Sequence, residues 1–378
     1  MPPINILYVT VKGLRFNKSQ QLGLYVRRFS TGEFGCHVAT YKDLDEARNL
    51  AALGVGVHRI AGLREWRRWS AFVRRPATIR DLCRIVRERR IDIVHSFQTS
   101  SAPYALAVTR RTGIPHVVQF RNTYDDRGHY LRYGLHRARV LLALSDTMME
   151  RFVSLAGVKA RRDQRRVVIP NGIDVEEYRG RGLTRNVRQD LGLAPDQPVI
   201  GIVGTLSPRK DPLLAIEVAR RVARLRPEAR FLFVGGFSDD QFRRQVEGRI
   251  EELGLAGACI LAGRQEEAAP WFRAIDLLLH PAWREGHAKV FNEAMVFGRP
   301  IVTSRIPGSV DVVEDGVNGL LCGPGEVAAF AAAVESLLAA PALRMEMGEA
   351  GRRRVETRFS SERSLDMLAE LYAQVAGG

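Results

Sequence analysis

The sequence has few cysteines and no long apolar segment. Its 378 residues include four cysteines, and none of these has the short paired spacing of a zinc site or a redox motif. No apolar run approaches the ~18 residues that a membrane-spanning helix needs, and the opening residues MPPINILYVTVKG do not have the pattern of a signal peptide. We therefore expect a cytoplasmic protein that is neither secreted nor membrane-spanning. Its reduced and mostly buried thiols are Cys36, Cys83, Cys259 and Cys322.

Acidic residues are scarce in one half of the chain only. Residues 1–182 contain 33 Lys+Arg and 16 Asp+Glu, which gives a net charge of +17. Residues 183–378 contain 24 Lys+Arg and 26 Asp+Glu, which gives a net charge of −2. A basic half suits nucleic acid, an anionic membrane surface or an anionic substrate. A solvated surface from an Arg-rich proteome is an equally good explanation of the composition alone.

The chain also lacks the glycine motif of a dinucleotide site. No G-x-G-x-x-G follows the first apolar run, INILYVT, which excludes an ordinary Rossmann oxidoreductase. No internal repeat or low-complexity tract is present.

Short apolar runs alternate with longer stretches of helical period, which predicts an α/β fold of parallel sheets with crossover helices. We expect two doubly wound domains that face each other across a cleft, with ligands beyond the carboxyl ends of the strands. The turn-rich stretch 170–186 has the composition of a linker. The predicted domains are 1–178, joined by a C-terminal helix at 360–378, and 179–359. The predicted strands are 4–10, 36–40, 56–60, 92–97, 116–120, 140–145, 167–171, 198–205, 229–236, 259–264, 276–282, 300–306 and 319–322.

The most specific segment is HPAWREGHAKVFNEAMVFGRPIV, from His280 to Val302. It predicts a strand, a loop with Glu285, a helix from about Ala288 to Phe297 and a stop at Gly298. Two carboxylates, Glu285 and Glu293, then flank the amides at the helix's positive end, whose residues are His287, Ala288, Lys289 and Val290. This arrangement suits a nucleoside-diphosphate sugar.

These residues resemble the E-x7-E signature of the "group 1" family of retaining GT-B glycosyltransferases. Further matches are IPNGID at 169–174, GTLSPRKDP at 204–212, FVGG at 233–236 and PGSVDVVEDGVNGLL ending at Leu321. The resemblance implies two Rossmann-like domains, with the donor on the second and the acceptor on the first. It implies that Glu293 accepts hydrogen bonds from the nucleotide ribose, that Glu285 contacts the transferred sugar and that Lys210 neutralises the diphosphate. The nucleotide base would lie near Arg264.

The chain departs from the family pattern at three places. Thr205 stands where an arginine usually follows the loop glycine, so Arg209 is a candidate substitute. The N-terminal loop has single glycines, of which Gly13 remains a candidate for contact with the donor. Arg121 stands where many members place a histidine near the reacting sugar, so with Glu285 it is a candidate catalytic residue. An arginine is not a general base at ordinary pH, so Arg121 would hold an anionic group or a sugar hydroxyl of the reacting partners.

The resemblance implies retaining hexosyl transfer without a separate nucleophile, through an oxocarbenium-like state in which the departing diphosphate takes the acceptor's proton. No metal and no cofactor is expected. Asp43 and Asp45 form a D-x-D sequence, but they precede a predicted helix and are better explained as a helix start. His95 and His287 have no second ligand at useful spacing.

The basic half contains one amphipathic segment, GLREWRRWSAFVRRPATIRDLCRIVRERR. Trp66 and Trp69 recur at helical spacing with Leu63 and Val73. The adjacent arginines are Arg64, Arg67, Arg68, Arg74 and Arg75. Such a helix suits an anionic lipid interface, with Trp66, Trp69, Arg67 and Arg68 against the membrane or acceptor. The alternative is that the tryptophans pack inward. Farther along, Leu82, Ile85 and Val86 are predicted core residues.

We thus expect a glycosyltransferase that moves a sugar from a nucleotide sugar to a glycan or lipid-linked hydroxyl in cell-envelope polysaccharide synthesis. It would be cytoplasmic, peripheral on the inner membrane face if the first interpretation of the amphipathic segment holds. The alternatives are a sugar-nucleotide epimerase of GT-B fold and a catalytically inactive relative. A nucleic-acid-binding protein is disfavoured because no RNA-binding signature is present and two carboxylates would repel a polyanion.

Overall fold

The computed structural model describes residues 2–11, 21–30, 32–41, 47–64, 69–122 and 126–377. By their internal contacts these residues form two compact units. The first contains the chain up to Gly172 together with the segment from Ser361, and the second contains Ile173–Ser360. Each unit has one parallel sheet with helices on both faces, as the alternating pattern predicted.

The first unit has a seven-stranded parallel sheet of order β3-β2-β1-β4-β5-β6-β7. Its strands are β1 Ile4–Val9, β2 Phe34–Thr40, β3 Gly56–Arg59, β4 Ile93–Ser96, β5 His116–Gln119, β6 Val140–Ala143 and β7 Arg165–Val168. Its helices are α1 Gln21–Arg28, α2 Ala47–Ala52, α3 Trp69–Glu88, α4 Ala102–Thr112, α5 Arg127–Arg132, α6 Asp146–Ala156 and α15 Ser361–Ala376.

Alternate residues of the central strand β1 enter different cores. Ile6 and Tyr8 belong to the cluster that includes α1 and α15, whereas Leu7 and Val9 belong to the cluster that includes α3 and α4. Both faces of the sheet are therefore buried, as expected of a parallel sheet. In α15, Tyr372 is fully buried and its hydroxyl lies 3.0 Å from the hydroxyl of Tyr8.

The second unit has a six-stranded parallel sheet of order β10-β9-β8-β11-β12-β13. Its strands are β8 Val199–Val203, β9 Arg230–Val234, β10 Cys259–Gly263, β11 Leu277–His280, β12 Ile301–Ser304 and β13 Gly319–Cys322. Its helices are α7 Val175–Arg181, α8 Val187–Asp190, α9 Pro212–Leu225, α10 Asp240–Glu252, α11 Ala269–Ala274, α12 Lys289–Val296, α13 Val327–Ala339 and α14 Pro341–Arg358.

All thirteen apolar runs form strands within one to three residues of their predicted bounds. The predicted linker 170–186 includes the division between the two units after Gly172, but it also contains α7. Asp174 caps α7 by accepting a hydrogen bond from the Glu177 amide at 3.0 Å, and Tyr178 packs on Phe297. The unit division before Ile173 therefore assigns all of α7 to the second unit, whereas the predicted boundary at 178 falls inside this helix.

The amphipathic segment is only partly described. Helix α3 begins at Trp69. Leu63 was predicted on the same helix, but it lies before α3 outside any helix or strand and is fully buried. The core prediction for Leu82, Ile85 and Val86 is confirmed, and all four cysteines are free and buried.

No single helix of the described ranges has the length and apolarity to cross a membrane. The pair α13 and α14, bent by 102°, meets that criterion only when the two are combined.

Candidate functional site

A pocket of about 680 Å³ lies in the second unit, beyond the carboxyl ends of β8, β9, β10 and β11. In a parallel sheet these ends share one edge, which is where ligands bind in doubly wound folds. Nine of the predicted donor residues line this pocket: Glu285, Glu293, Lys210, Arg209, His287, Ala288, Lys289, Val290 and Arg264.

Three glycines line the pocket, and two of them directly follow strands. Gly204 follows β8 with φ 123°, and Gly235 follows β9 with φ 149°. A Cβ atom on Gly235 would lie 2.0 Å from the carbonyl oxygen of Gly204, so any side chain there would collide with backbone. The Gly204 amide donates to the Val234 carbonyl at 2.8 Å, which holds the two loops together. The FVGG match did not indicate this contact, since it depends on pairing between β8 and β9.

Lys210 reaches into the pocket from a 3₁₀ turn at Pro208–Lys210. Its ammonium nitrogen would be 2.5 Å from a Cβ on Gly204, so it lies directly over that glycine. The pocket's ion pairs join other residues, and Lys210 forms none within the part of the chain that the structure describes. Burial lowers the pKa of Lys210, while the negative charges of Glu285 and Glu293 raise it in part. The pocket thus holds a largely buried cation beside its glycine-rich wall.

The Lys210 turn is attached to the loop after β11 by the next residue. Asp211 has φ 48°, an uncommon left-handed conformation for a residue other than glycine. One carboxylate oxygen accepts from the Leu214 amide at 3.1 Å and caps α9, and the other accepts from the indole nitrogen of Trp283 at 2.9 Å. These two bonds fix the turn that carries Lys210. Neither Asp211 nor Trp283 was predicted from the sequence as a site residue.

Glu285 is held by two neighbours. One of its carboxylate oxygens lies 3.3 Å from Nε2 of His280 and 3.1 Å from the guanidinium of Arg209. Arg209 also donates to the Arg284 carbonyl at 2.7 Å, so the candidate substitute for the missing loop arginine is paired with Glu285. His280, the last residue of β11, was missed, although a polar residue at the carboxyl end of a buried strand is a usable signal.

Protonation in this group follows from burial and charge. Burial raises the pKa of Glu285, but the His280 hydrogen bond and the charges of His280, Lys210 and Arg209 outweigh it and lower the pKa from 4.5 to about 2. Burial lowers the pKa of His280 below its ordinary 6.5, despite the opposing effect of Glu285. At neutral pH a neutral imidazole therefore donates from Nε2 to an ionised carboxylate.

We expect Glu285→Gln to lower stability at pH 7 by on the order of 2–3 kcal/mol, with the difference shrinking in acid. The Glu285 carboxylate has a lower pKa when folded than when unfolded. Its contribution is therefore complete above about pH 5 and is lost as the pH falls from about 4.5 towards 2. Urea unfolding at pH 7 and pH 3.5 measures this. A difference from wild type that is equal at both pH values would contradict it, and the exposed Glu266→Gln serves as the control.

Helix α12 presents its first turn to the same pocket. Ala288 is its N-terminal flanking residue, and no side-chain hydrogen bond caps the helix. The amides of its first turn are therefore suited to donate hydrogen bonds to an anion. Glu293 lies one turn inside and pairs with Lys289 at 3.2 Å, and Gly298, with φ 62°, follows the helix end as predicted. Tyr178 was missed: it is 3% exposed, and burial followed by the nearby Glu293 charge raises the pKa of its hydroxyl well above 10.

Arg121 lies in the first unit, two residues beyond the end of β5. Its guanidinium donates to the Asn171 side chain at 3.2 Å and stacks 4.8 Å from the Phe97 ring centre. Burial lowers the pKa of Arg121, and Tyr25 opposes this. Its Nη1 atom is buried with no hydrogen-bond partner among the described residues. The side chain is thus a buried cation that no described carboxylate neutralises.

Several predictions fall outside the described residues. These are the donor contact of Gly13, the membrane or acceptor roles of Trp66, Arg67 and Arg68, and the helix start at Asp43 and Asp45. Trp69 is the first residue of α3, and its proposed role stays a prediction. No group of three or more His, Cys, Asp or Glu side chains in the described ranges could hold a metal ion.

Two family models match the chain, one on each unit. "Glycosyl transferases group 1" matches residues 184–354, which include the whole pocket, and "Glycosyltransferase Family 4" matches residues 27–177. The chain belongs to the group 1 glycosyltransferases. The family predicted from the sequence is thus confirmed, while the roles of the individual site residues stay predictions.

Relatives of this group 1 glycosyltransferase include two D-inositol 3-phosphate glycosyltransferases. That of Segniliparus rotundus is 32% identical over 246 residues, 63% of this chain and 54% of the relative. That of Geodermatophilus obscurus is 33% identical over 221 residues, which are 56% of this chain and 48% of the relative. The matched part is thus about half the length of each relative.

The group 1 glycosyltransferase also shares its fold with HepE from Anabaena, whose structure is a complex with UDP. The TM-score is 0.82 with 19% sequence identity, and the match covers 98% of this chain and all of HepE. The similarity supports the fold alone. The predicted GT-B class, with two Rossmann-like domains, is confirmed.

Proposed function

We propose that the chain transfers a hexosyl group from a nucleoside-diphosphate sugar to a hydroxyl of its acceptor, with retention of configuration and without a metal ion. The observation that carries this proposal is Lys210. It is a largely buried ammonium with no ion pair to a described residue, and it shares one pocket with the α12 amides and two glutamates. A diphosphate would supply the negative charge that pairs with Lys210 and the oxygens that accept hydrogen bonds from the α12 amides. The glutamates accept hydrogen bonds from hydroxyls on either side of it.

Each group then has one task in the reaction. As the bond between the anomeric carbon and the diphosphate oxygen breaks, negative charge grows on that oxygen, where Lys210 and the α12 amides stabilise it. The acceptor hydroxyl attacks the same face of the sugar, and its proton passes to the departing diphosphate. Glu285 stays ionised beside His280 and Arg209 and orients the sugar hydroxyls. Glu293 holds the ribose, and Tyr178 packs behind it.

The relatives and structural neighbours suggest which donor and which acceptor to test first. HepE has been seen with UDP and with UDP-glucose, so UDP-glucose is the first donor to test. The acceptor side includes Arg121, a buried cation that a phosphate or carboxylate of the acceptor would neutralise. Two relatives are named D-inositol 3-phosphate glycosyltransferases, so inositol 3-phosphate is the first soluble acceptor to test. A lipid-linked or cell-envelope glycan at an anionic membrane surface fits the charge of +17 in residues 1–182.

Glu293→Ala tests the donor site. We expect the KM for the donor to rise about 10–100-fold, because a buried charge-assisted hydrogen bond to the ribose contributes about 1.5–3 kcal/mol. Initial rates of nucleoside diphosphate release, measured against donor concentration, give this value. The control is Glu251→Ala, which removes an exposed helical glutamate in the same unit.

Other outcomes of the same assay separate the alternative functions. Unchanged transfer by Glu293→Ala would refute the site assignment. Donor turnover without any acceptor, giving an isomeric sugar nucleotide, would identify an epimerase. No turnover and no donor-induced rise in the melting temperature of the parent protein would identify an inactive relative.

A further inference from the structure

A second pocket, of about 420 Å³, lies in the first unit and has a strongly basic lining. It lies at the edge of the sheet where the strands begin. His116 is the first residue of β5, and Arg139 immediately precedes β6. Arg121 follows the other end of β5, so this pocket is separate from the edge of the sheet that carries Arg121. The polar lining residues are Arg110, Arg137, Arg139, Arg161, His116 and Thr109.

The interior of this pocket contains polar atoms that need a partner. His116 is 1% exposed, and neither of its ring nitrogens has a hydrogen-bond partner among the described residues. The buried hydroxyl of Thr109 has none either. Burial and the charge of Arg161 lower the pKa of His116 to about 4, so the ring is neutral at pH 7 with one N–H donor. Buried polar atoms without partners cost free energy, which a ligand with acceptor oxygens would recover.

The charged side chains around these atoms are all positive, and one of them, Arg110, has no carboxylate partner among the described residues. Arg161 pairs with Asp163 at 2.6 Å, but no acidic residue of the described ranges lines the pocket. Arg110 forms no ion pair with a described residue. Gly113, the αL residue that ends α4 with φ 79°, has space beside it, because a Cβ there would meet nothing within 4 Å. A planar guanidinium suits the paired oxygens of a phosphate.

We propose that this pocket is a second binding site of the protein, for the phosphate group of a small phosphate ester or of a lipid headgroup. Arg110 and the hydroxyl of Thr109 donate to its oxygens, and His116 donates from deeper in the pocket. The methylene stems of the arginines and Leu106 cover the apolar part of the ligand. The site does not depend on the proposed transferase function, since none of its residues lies in the pocket of the second unit.

Titration calorimetry of the full chain with glycerol 3-phosphate tests the proposal. A Lys210→Gln background weakens phosphate binding in the other pocket. In this background we expect Arg110→Gln to weaken binding about tenfold or more, because a charge-assisted hydrogen bond is lost. Thr109→Val should weaken it less. The control is Arg111→Gln, which changes the same charge on the next residue, whose guanidinium donates to its own helix at the Ala107 carbonyl.

Sedimentation with phosphatidylglycerol vesicles, against phosphatidylcholine vesicles, distinguishes the two sources of phosphate. Binding of soluble glycerol 3-phosphate that Arg110→Gln weakens and Arg111→Gln leaves intact supports a free phosphate ester. Binding only to phosphatidylglycerol, with the same dependence on Arg110, supports a headgroup. Equal losses in Arg110→Gln and Arg111→Gln, or no binding to either probe by protein that melts like wild type, would overturn the proposal.

Discussion

Replacing Lys210 by glutamine should lower kcat for sugar transfer by about 10²–10³-fold while the protein remains folded. The ammonium lies over Gly204 and forms no ion pair with a described residue, so its charge is directed to the ligand. Removing one preorganised charge from a developing oxyanion typically costs about 2.7–4 kcal/mol of transition-state stabilisation. Lys210 should therefore affect kcat more than donor binding.

Steady-state kinetics with the donor identified by thermal shift measure this effect. The control is Lys159→Gln, an exposed lysine of the first unit. A Lys210→Gln enzyme whose KM alone rises would show that the lysine binds donor and transition state equally. That result would contradict its role in stabilising the leaving group.

The second large effect is expected for Gly235→Ala. A Cβ there would lie 2.0 Å from the Gly204 carbonyl oxygen, and φ 149° is strained for any L-residue. The two loops must separate, which should cost about 2–4 kcal/mol of unfolding free energy and move Gly204 from beneath Lys210. Donor binding should be lost together with stability.

Gly248→Ala is the matched control for this substitution. Gly248 lies on the exposed face of α10, and a Cβ there would meet nothing within 4 Å. We expect this alanine to stabilise the protein by about 0.5–1 kcal/mol, since glycine is a poor helix former. Urea unfolding of both variants gives the two values. If Gly235→Ala left the free energy of unfolding unchanged, the loops would separate with little loss of stability, which would contradict the prediction.

The fold could be predicted because its information is local. Each buried parallel strand is a short run of Val, Ile and Leu, and the alternation with helices identifies the class without knowledge of any contact. The segment from Glu285 to Gly298 could also be predicted, because its strand, loop and helix are consecutive in sequence. The observed helix, Lys289–Val296, lies within the predicted bounds.

What sequence reasoning missed depends on contacts between distant segments. Tyr178 reaches the neighbourhood of Glu293 only because α7 packs against α12 within the second unit, whereas the turn-rich composition around Tyr178 indicated a linker. Arg209 was recognised as a candidate, but its pairing with Glu285 needs the loop after β11 beside it. The basic pocket combines residues from four separate segments, so its arginines contributed only to the net charge.

The position of α15 has a consequence for synthesis of the chain. Leu368, Leu371 and Tyr372 belong to the same buried cluster as Tyr8 of β1 and Phe29, although the whole second unit separates them in sequence. The nascent first unit therefore leaves the ribosome with the part of its sheet that α15 covers still exposed. It completes its core only after Ile173–Ser360 have been made. Until then its exposed apolar face is a site for chaperone binding or aggregation.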